Sequence, residues 1–501
     1  MLHTIDFAVI AIYLVGMAAF GIYMGGRQTN VKDYFLGNRN LPWWAACLSV
    51  VATESSALTV VSVPATAYLG SFTFLQLAIG YLLGRILVAF VLLPRYYRGD
   101  FTTAYGFLGQ RFGRRLQGAT SVTFLVTRLL ADGVRLFATA IVLKVILDAY
   151  GLGLSYWQII LATAIVTVLY TYIGGIRAVV WVDTAQMALY FIGGLLVIAI
   201  LAGQMPAGFL ADATEAGKTQ VVSFATNPLT DPYSFITAVI GGAALSMASH
   251  GADQLIVQRL LACRSEADGK KAVIGSAVVV GLQFAIFLLV GLLIWGYYGG
   301  QSLGELGVGR PDEIFPTFIV EGLPAGLSGL LLVGILAAAM STLSSSLSAL
   351  SSSTMTDLYE RFSRRSLSDR QGLRLARIFT LIWGLVFFVF ASMFQSQDSL
   401  VVELGLGIAG FTAGGLLGAF LLGLLVRRAS ETDALIAFLV AVAIMGYVVF
   451  GGVPIAYPWY TLIGVAITLL IGWLLSRRHP DAAYDPEAGP AEERTVKERV
   501  R

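Results

Sequence analysis

The residues of this chain whose types and spacing best fit a chemical role are eleven hydroxyl side chains within segment 337–357, AAAMSTLSSSLSALSSSTMTD. Residues three or four apart share one face of a helix, and this spacing relates Ser341, Ser344, Ser345, Ser348 and Ser352. Hydroxyl oxygens are hard, neutral ligands that suit a small cation inside a membrane. Small residues every four positions also indicate tight packing between transmembrane helices. Both interpretations stay open for this segment.

The composition indicates a membrane protein with several spans, because 57% of the 501 residues are hydrophobic and only 13% are charged. Two cysteines and three scattered histidines predict neither a disulfide framework nor a metal centre. Since no nucleophile–base pair stands out, we do not expect an enzyme. The first apolar run has no basic residues before it, and we interpret it as a retained helix.

Thirteen apolar runs are long enough to be predicted as membrane spans. They are 5–24, 43–68, 72–93, 119–147, 156–173, 178–201, 235–257, 272–297, 325–356, 375–394, 400–426, 435–450 and 459–475. Between these runs, 23 cations, Arg259 among them, lie in alternate loops, and only Lys218 and Arg310 lie in the opposite loops. The positive-inside rule therefore predicts a multi-pass protein of the plasma (inner) membrane with its N-terminus outside and its C-terminus in the cytoplasm.

The spans from the second onward form two sets of five. In each set the first span is interrupted by polar residues, at 52–56 and 249–254, and the third span is unusually long. Because five is odd, the second set must cross the membrane in the opposite direction, and inverted repeats with broken first helices are typical of secondary transporters. The predicted fold is an all-α polytopic membrane protein of 13 transmembrane helices. Its predicted parts are an N-terminal helix and inner loop (1–42), a first five-helix repeat (43–203), an outer loop (204–233), a second, inverted repeat (234–428), two C-terminal helices (429–478) and a disordered cytoplasmic tail (479–501).

Several charged residues fall where lipid is expected. Once the cations assigned to the loops and to the tail are set aside, Arg85, Arg128, Arg135 and Lys144 remain within predicted spans. Arg128, Asp132 and Arg135 share one helix face, which fits either a structural ion-pair ladder or a functional role as a gate or solute contact. Asp183 lies near the start of its span and is interpreted either as an interfacial carboxylate or as part of a site. Glu54 lies at the centre of a span, where it needs a cation, a proton or an arginine as partner.

With these residues assembled, the chain resembles the sodium:solute symporter family, which has the leucine-transporter-type fold. The resemblance rests on the motifs ATESSALTVVSVPATAY (52–68), YTYIGGIRAVVWVDTAQ (170–186), GADQLIVQRLLACR (251–264), GILAAAMSTLSSSLS (334–348) and FTAGGLLGAFLLGLL (411–425). The third and fourth of these motifs are specific, whereas the glycine-rich last one is weak on its own. They are spread over most of the chain and occur in the order of the family.

The resemblance implies particular ligands for sodium and solute. A main sodium site would use carbonyl groups of Ala52, Ser55 and Ala338 and the side chains of Ser341 and Thr342. A second sodium site, which only some members have, would join Asp183 to Ser341, Ser344 and Ser345. The solute would lie near Glu54, Ser56 and Thr59, with Phe74 and Arg128 as neighbours. Sodium is thus the expected coupling ion, with one or two ions per cycle.

These inferences predict a sodium-coupled importer of a small polar organic solute (a sugar, sialic acid, amino acid, polyol or carboxylate) that works by alternating access. The alternatives are a proton-coupled carrier that titrates Glu54 or Asp183, and a transporter-derived membrane sensor, which the short tail disfavours. Expected partners are the solute, sodium and the lipid bilayer, with no nucleic acid and no obligate protein partner. Glu54 has three possible roles, namely lowering the potential at the sodium site, binding solute, or pairing with Arg128, and solute binding is favoured.

Overall fold

The computed structural model describes residues 4–149, 151–224, 226–323, 326–363, 367–393 and 399–479. Within these ranges the chain forms helices joined by loops and has no β-strand, although one isolated bridge joins Leu41 to Cys263. The predicted disordered tail, apart from His479, lies outside the described residues.

The main helices are named α1 to α14 in chain order. They are α1 (Thr4–Gly25), α2 (Trp43–Glu54), α3 (Ala57–Leu69), α4 (Phe72–Arg98), α5 (Arg114–Ala149), α6 (Tyr156–Ala202), α7 (Gly242–Gly251), α8 (Gln254–Leu261), α9 (Glu266–Tyr297), α10 (Leu327–Phe362), α11 (Asp369–Ser392), α12 (Ser399–Leu425), α13 (Glu431–Phe450) and α14 (Pro458–Ser476). Short helices between them span Val31–Leu36, Ala104–Arg111, Phe209–Glu215 and Ile314–Glu321. A π-helical turn, Thr237–Gly241, leads directly into α7, and another, Thr354–Tyr359, interrupts α10.

Within the described part of the chain, eight helices are long and apolar enough to cross a membrane, and the bent pair of α2 and α3 would make a ninth. Helix α5 is not in this group, because charged side chains, including Arg128, Asp132 and Arg135, lower its hydropathy. This agrees with a polytopic membrane protein. The count of thirteen spans and the repeat arrangement stay predictions.

Both predicted helix interruptions are confirmed. Helix α2 ends at Glu54 and α3 begins at Ala57, with extended backbone at Ser55 and Ser56 and a bend of 67° between the helices. Helix α7 ends at Gly251, and α8 is capped by Asp253, whose carboxylate accepts a hydrogen bond from a backbone N–H of its first turn. Broken helices of this kind present backbone groups to a polar interior, where a ligand can use them.

Helix α6 also changes direction, at Gly175. Its φ of 57° and ψ of −153° lie outside the helical region and suit a residue without a side chain. A side chain here would also collide with the backbone of Tyr34. The kink falls between the predicted spans 156–173 and 178–201, so the two segments of α6 run in different directions.

Helix α10 lies inside the bundle and contacts α1, α5 and α6, and every residue from Ala337 to Ser353 is buried. Helix α4 packs closely on α7 because Gly80 and Gly84 let the two backbones approach. A Cβ atom at Gly84 would collide with the carbonyl oxygen of Ala243, and one at Gly80 would collide with that of Ala238.

We expect Gly84→Ala to push α4 away from α7 and to reduce stability by about 1–3 kcal/mol, the usual cost of overpacking. The measurement is the apparent melting temperature of the purified protein in one detergent. Gly334→Ala is the matched control, since its added methyl group would meet no heavy atom of the described residues within 4 Å. Equal melting temperatures for the two variants would contradict the close packing at Gly84.

Candidate functional site

A cavity of about 690 Å³ lies between the two helix breaks. The first break contributes Thr53, Glu54 and Ser55, and the second contributes Ala248, Ser249, His250, Ala252 and Asp253. Helix α5 adds Arg128 and Arg135, and the aromatic part of the wall consists of Phe74, Tyr81, Phe124, Phe284, Tyr457 and Tyr460. A concave, mostly apolar space of this volume with a few converging polar groups is typical of a small-molecule site.

Four of the five residues predicted to face the solute line this cavity: Glu54, Thr59, Phe74 and Arg128. Ser56 does not line it. Its side chain borders a separate space of about 10 Å³, together with Thr342 of α10. The sequence analysis missed Tyr81, His250 and the aromatic residues of α14, because nothing in the local sequence shows that these helices meet at the breaks.

The carboxylate of Glu54 pairs with Arg85 of α4, with 2.5 Å between Glu54 Oε2 and Arg85 Nη2. Arg85 is fully buried and also donates to the hydroxyl of Ser276 at 2.7 Å. His250 Nε2 lies 3.7 Å from the same carboxylate oxygen. Of the roles considered for Glu54, pairing with Arg128 is therefore wrong, because another buried arginine takes that place. The sequence contains a hint of this pair, because the helix that carries Arg85 has no carboxylate of its own and Arg85 therefore needs a partner from another helix.

Arg128 instead pairs with Asp253 at the start of α8 and lies 3.5 Å from Asp132. Asp132 also accepts hydrogen bonds from Arg135, at 3.3 Å, and from Ser346 of α10, at 2.6 Å. The Nε of Arg135 is buried and has no hydrogen-bond partner among the described residues. Arg135 is also one of the residues that line the cavity. The ladder interpretation and the solute interpretation of this cluster both have support in this arrangement.

The residues predicted for the main sodium site come from the first break and from α10, and helices α2 and α10 contact each other. Ala52, Ser55, Ala338, Ser341 and Thr342 are all buried. The hydroxyl of Thr342 has no hydrogen-bond partner in the described part of the chain, and it borders the 10 Å³ space. That space has room for about one water-sized group. Because a buried hydroxyl is normally bonded, this oxygen suits a small cation, although the ligand set itself stays a prediction.

Asp183 is fully buried within the protein and forms a salt bridge with Arg259. Its Oδ1 accepts from Ser341 at 2.7 Å, and its Oδ2 accepts from Ser49 at 2.6 Å and from Arg259 Nη2 at 3.1 Å. Arg259 also donates to the hydroxyl of Ser345. The charge count had assigned Arg259 to a loop, but the structure buries it in α8.

The remaining predicted residue of the second sodium site, Ser344, donates its hydroxyl to the backbone carbonyl of Ser341 at 3.1 Å. The ligand set of that site, Asp183, Ser341, Ser344 and Ser345, stays a prediction.

The hydroxyl face of α10 is divided between two roles. Its first part, from Ser341 to Ser345, contains the residues predicted to bind sodium. Farther along, Ser348 accepts from Gln258 of α8 at 3.1 Å and Ser352 accepts from Gln254 at 3.3 Å. The two glutamines are four residues apart, as are the two serines, so this part of the hydroxyl face serves to pack α10 against α8 through side-chain hydrogen bonds.

We expect Glu54→Gln to cost about 3–5 kcal/mol of stability, because it leaves the buried Arg85 without its counter-charge. The double variant Glu54→Gln/Arg85→Gln should recover most of this loss, since neither charge is then stranded. Denaturation of the purified proteins measures both effects. The control double variant, Glu54→Gln/Arg128→Gln, should recover nothing, and equal recovery by both double variants would contradict the observed pairing.

Comparison with known proteins follows this geometry. Residues 34–441 match the sodium:solute symporter family. The chain is 28% identical over 486 residues to the sodium/sialic acid symporter of Aliivibrio fischeri, covering 94% of this chain and 92% of that protein. It is 30% identical over 455 residues to the sodium-coupled monocarboxylate transporter 1 of Homo sapiens, covering 89% of this chain and 73% of that protein.

A solved structure also resembles this fold. It is the substrate-bound, outward-open state of a Na+-coupled sialic acid symporter, with a TM-score of 0.84 and 27% identity over 95% of this chain and 98% of that one. The family match, the full-length relatives and the cavity between two broken helices agree, and the chain belongs to the sodium:solute symporter family.

Proposed function

We propose that this protein imports a small organic solute together with sodium, by alternating access. The observation that carries the proposal is the cavity walled by both broken helices, with the unpartnered hydroxyl of Thr342 beside the first break. The cavity can hold a solute, and the oxygens at the break can hold the ion. Because both ligands lie on the same broken helix, binding of one can favour binding of the other.

The proposed architecture has thirteen membrane-spanning helices in two inverted five-helix repeats, with the N-terminus outside and the C-terminus in the cytoplasm. Two features support it. Each proposed repeat begins with a broken helix, and the long helices α5 and α10 occupy matching positions with 36 residues each. The split of cations between alternate loops supports the orientation.

For the ion, we propose ligation by the carbonyl groups of Ala52, Ser55 and Ala338 and the hydroxyl groups of Ser341 and Thr342. One sodium ion moving down a 100 mV potential releases about 2.3 kcal/mol. Since about 1.4 kcal/mol corresponds to a tenfold ratio, a single ion supports tens-fold accumulation of solute before its concentration gradient is counted.

For the solute, we propose a small molecule with a carboxylate group. Glu54, Arg128, Arg135 and Asp253 line the cavity, and Arg85 and Asp132 pair with them from behind its wall. The three arginines and three carboxylates balance one another in charge. An anionic solute and one sodium ion preserve that balance when they bind together. Arg128 and Arg135 line the cavity, so a solute carboxylate would lie near their positive charge. The similar proteins named for sialic acid and monocarboxylate transport are consistent with this class.

We expect Thr342→Ala to raise the sodium concentration for half-maximal uptake by at least about tenfold, because an ion–hydroxyl contact is worth roughly 1.5–3 kcal/mol. Uptake into proteoliposomes at fixed pH and varied sodium measures it. Thr461→Ala is the matched control, since its hydroxyl is likewise buried without a partner in the described chain but lies on α14. If folded Thr342→Ala needs the same sodium concentration as the wild type, Thr342 is not a sodium ligand. Uptake that follows pH and ignores sodium would favour the proton-coupled alternative.

We expect carboxylate solutes to raise the melting temperature of the purified protein only when sodium is present. A ligand at about 100 times its Kd stabilises by about 2.7 kcal/mol. The panel is N-acetylneuraminate, pyruvate and lactate, with glucose as the uncharged comparison. Arg135→Gln should raise the Kd for the acid that binds by at least about tenfold, whereas Lys144→Gln, at the far end of the same helix, should leave that Kd unchanged. A response to glucose in place of the acids would overturn the proposed solute class.

A further inference from the structure

The guanidinium group of Arg259 fills the region assigned to a second sodium ion. Its Nε donates to Ser49 at 2.7 Å, its Nη1 donates to the carbonyl oxygen of Leu255 at 2.6 Å, and its Nη2 donates to Asp183 and Ser345. Every nitrogen of the group therefore has an acceptor. Arg259 and Asp183 are both fully buried, so water does not screen the pair.

These contacts leave no place for sodium. Three oxygens that an ion at Asp183 could use, Asp183 Oδ2, Ser345 Oγ and Ser49 Oγ, already accept hydrogen bonds from Arg259. Arg259 forms the single salt bridge made by Asp183 within the described ranges. A sodium ion added to this pair would leave a net positive charge in a region without water, which is strongly unfavourable.

We propose that Asp183 binds either Arg259 or sodium, but not both, so that Arg259 takes the place of the second ion and the transporter binds one sodium. The proposal rests on the proposed sodium-coupled function. Arg259 then determines the number of bound sodium ions. The hydroxyl groups and the carboxylate of a second sodium site are present, but the guanidinium group of Arg259 occupies them.

The position of Arg259 connects the pair to the solute cavity. Arg259 lies on α8, whose capping residue, Asp253, lines the cavity and pairs with Arg128. Helix α8 is thus held at its start by the pair of Asp253 with Arg128, beside the solute cavity, and farther along by the pair of Arg259 with Asp183 on α6. Sodium could reach Asp183 only after α8 had moved enough to withdraw Arg259.

The test counts radioactive sodium ions bound at saturation to the purified full-length protein, without solute. We expect one ion for the wild type, two for Arg259→Gln, and one for Arg259→Gln/Asp183→Asn. Arg259→Lys keeps the charge and should also bind one. The doubling in Arg259→Gln and its reversal in the double variant are the signature of a site that Arg259 blocks.

Two ions in the wild type, falling to one in Asp183→Asn, would overturn the inference and leave the proposed function intact. Folded Arg259→Gln that still binds one ion would also overturn it. If Arg259→Gln does not fold, Asp183→Asn decides the matter, because the inference expects one bound ion there and any loss contradicts it. A wild type that binds no sodium would instead refute the proposed function.

Discussion

Polar groups inside a membrane must find their partners within the protein, because lipid offers none. The two helix breaks put backbone and side-chain polar groups at the centre of this molecule, and the surrounding helices are arranged to satisfy them. Glu54 at the first break takes Arg85 from α4, and Asp253 at the second takes Arg128 from α5. The buried hydroxyl face of α10 supplies further partners for both regions. The ion pairs are therefore part of what holds the broken helices in place.

The helix breaks could be predicted from the sequence because their cause is local. Hydroxyl and small residues within an apolar run compete with the helix for backbone hydrogen bonds, and both interruptions fell inside the stretches so marked. Ion pairs have no such local cause. Glu54 and Arg85 are 31 residues apart, Asp183 and Arg259 are 76 apart, and Arg128 and Asp253 are 125 apart. Intramembrane charges could be found in the sequence, but their partners depend on which helices touch.

The serine-rich face of α10 shows the same limit in another form. Its spacing fits both helix packing and ligand binding, and the structure uses different parts for different purposes. Ser348 and Ser352 accept hydrogen bonds from glutamines of α8, whereas Ser341 donates to Asp183. The hydroxyl of Thr342 has no hydrogen-bond partner among the residues that the structure describes. A pattern of identical side chains cannot encode this division, because the difference lies in the neighbouring helices.

Charge balance connects the separate parts of the site. The ion pairs around the cavity and the Asp183–Arg259 pair each contain equal numbers of cations and anions. A lone charge added where these groups are buried is unfavourable. In the proposed mechanism an anionic solute therefore needs a cation to bind with it, and one sodium ion at the first break meets that requirement. Because Arg259 already balances the charge of Asp183, a second sodium ion would add an uncompensated positive charge. In this proposal the coupling of solute to sodium follows from charge balance among these ion pairs, and the number of sodium ions follows from the number of arginines that already balance the carboxylates.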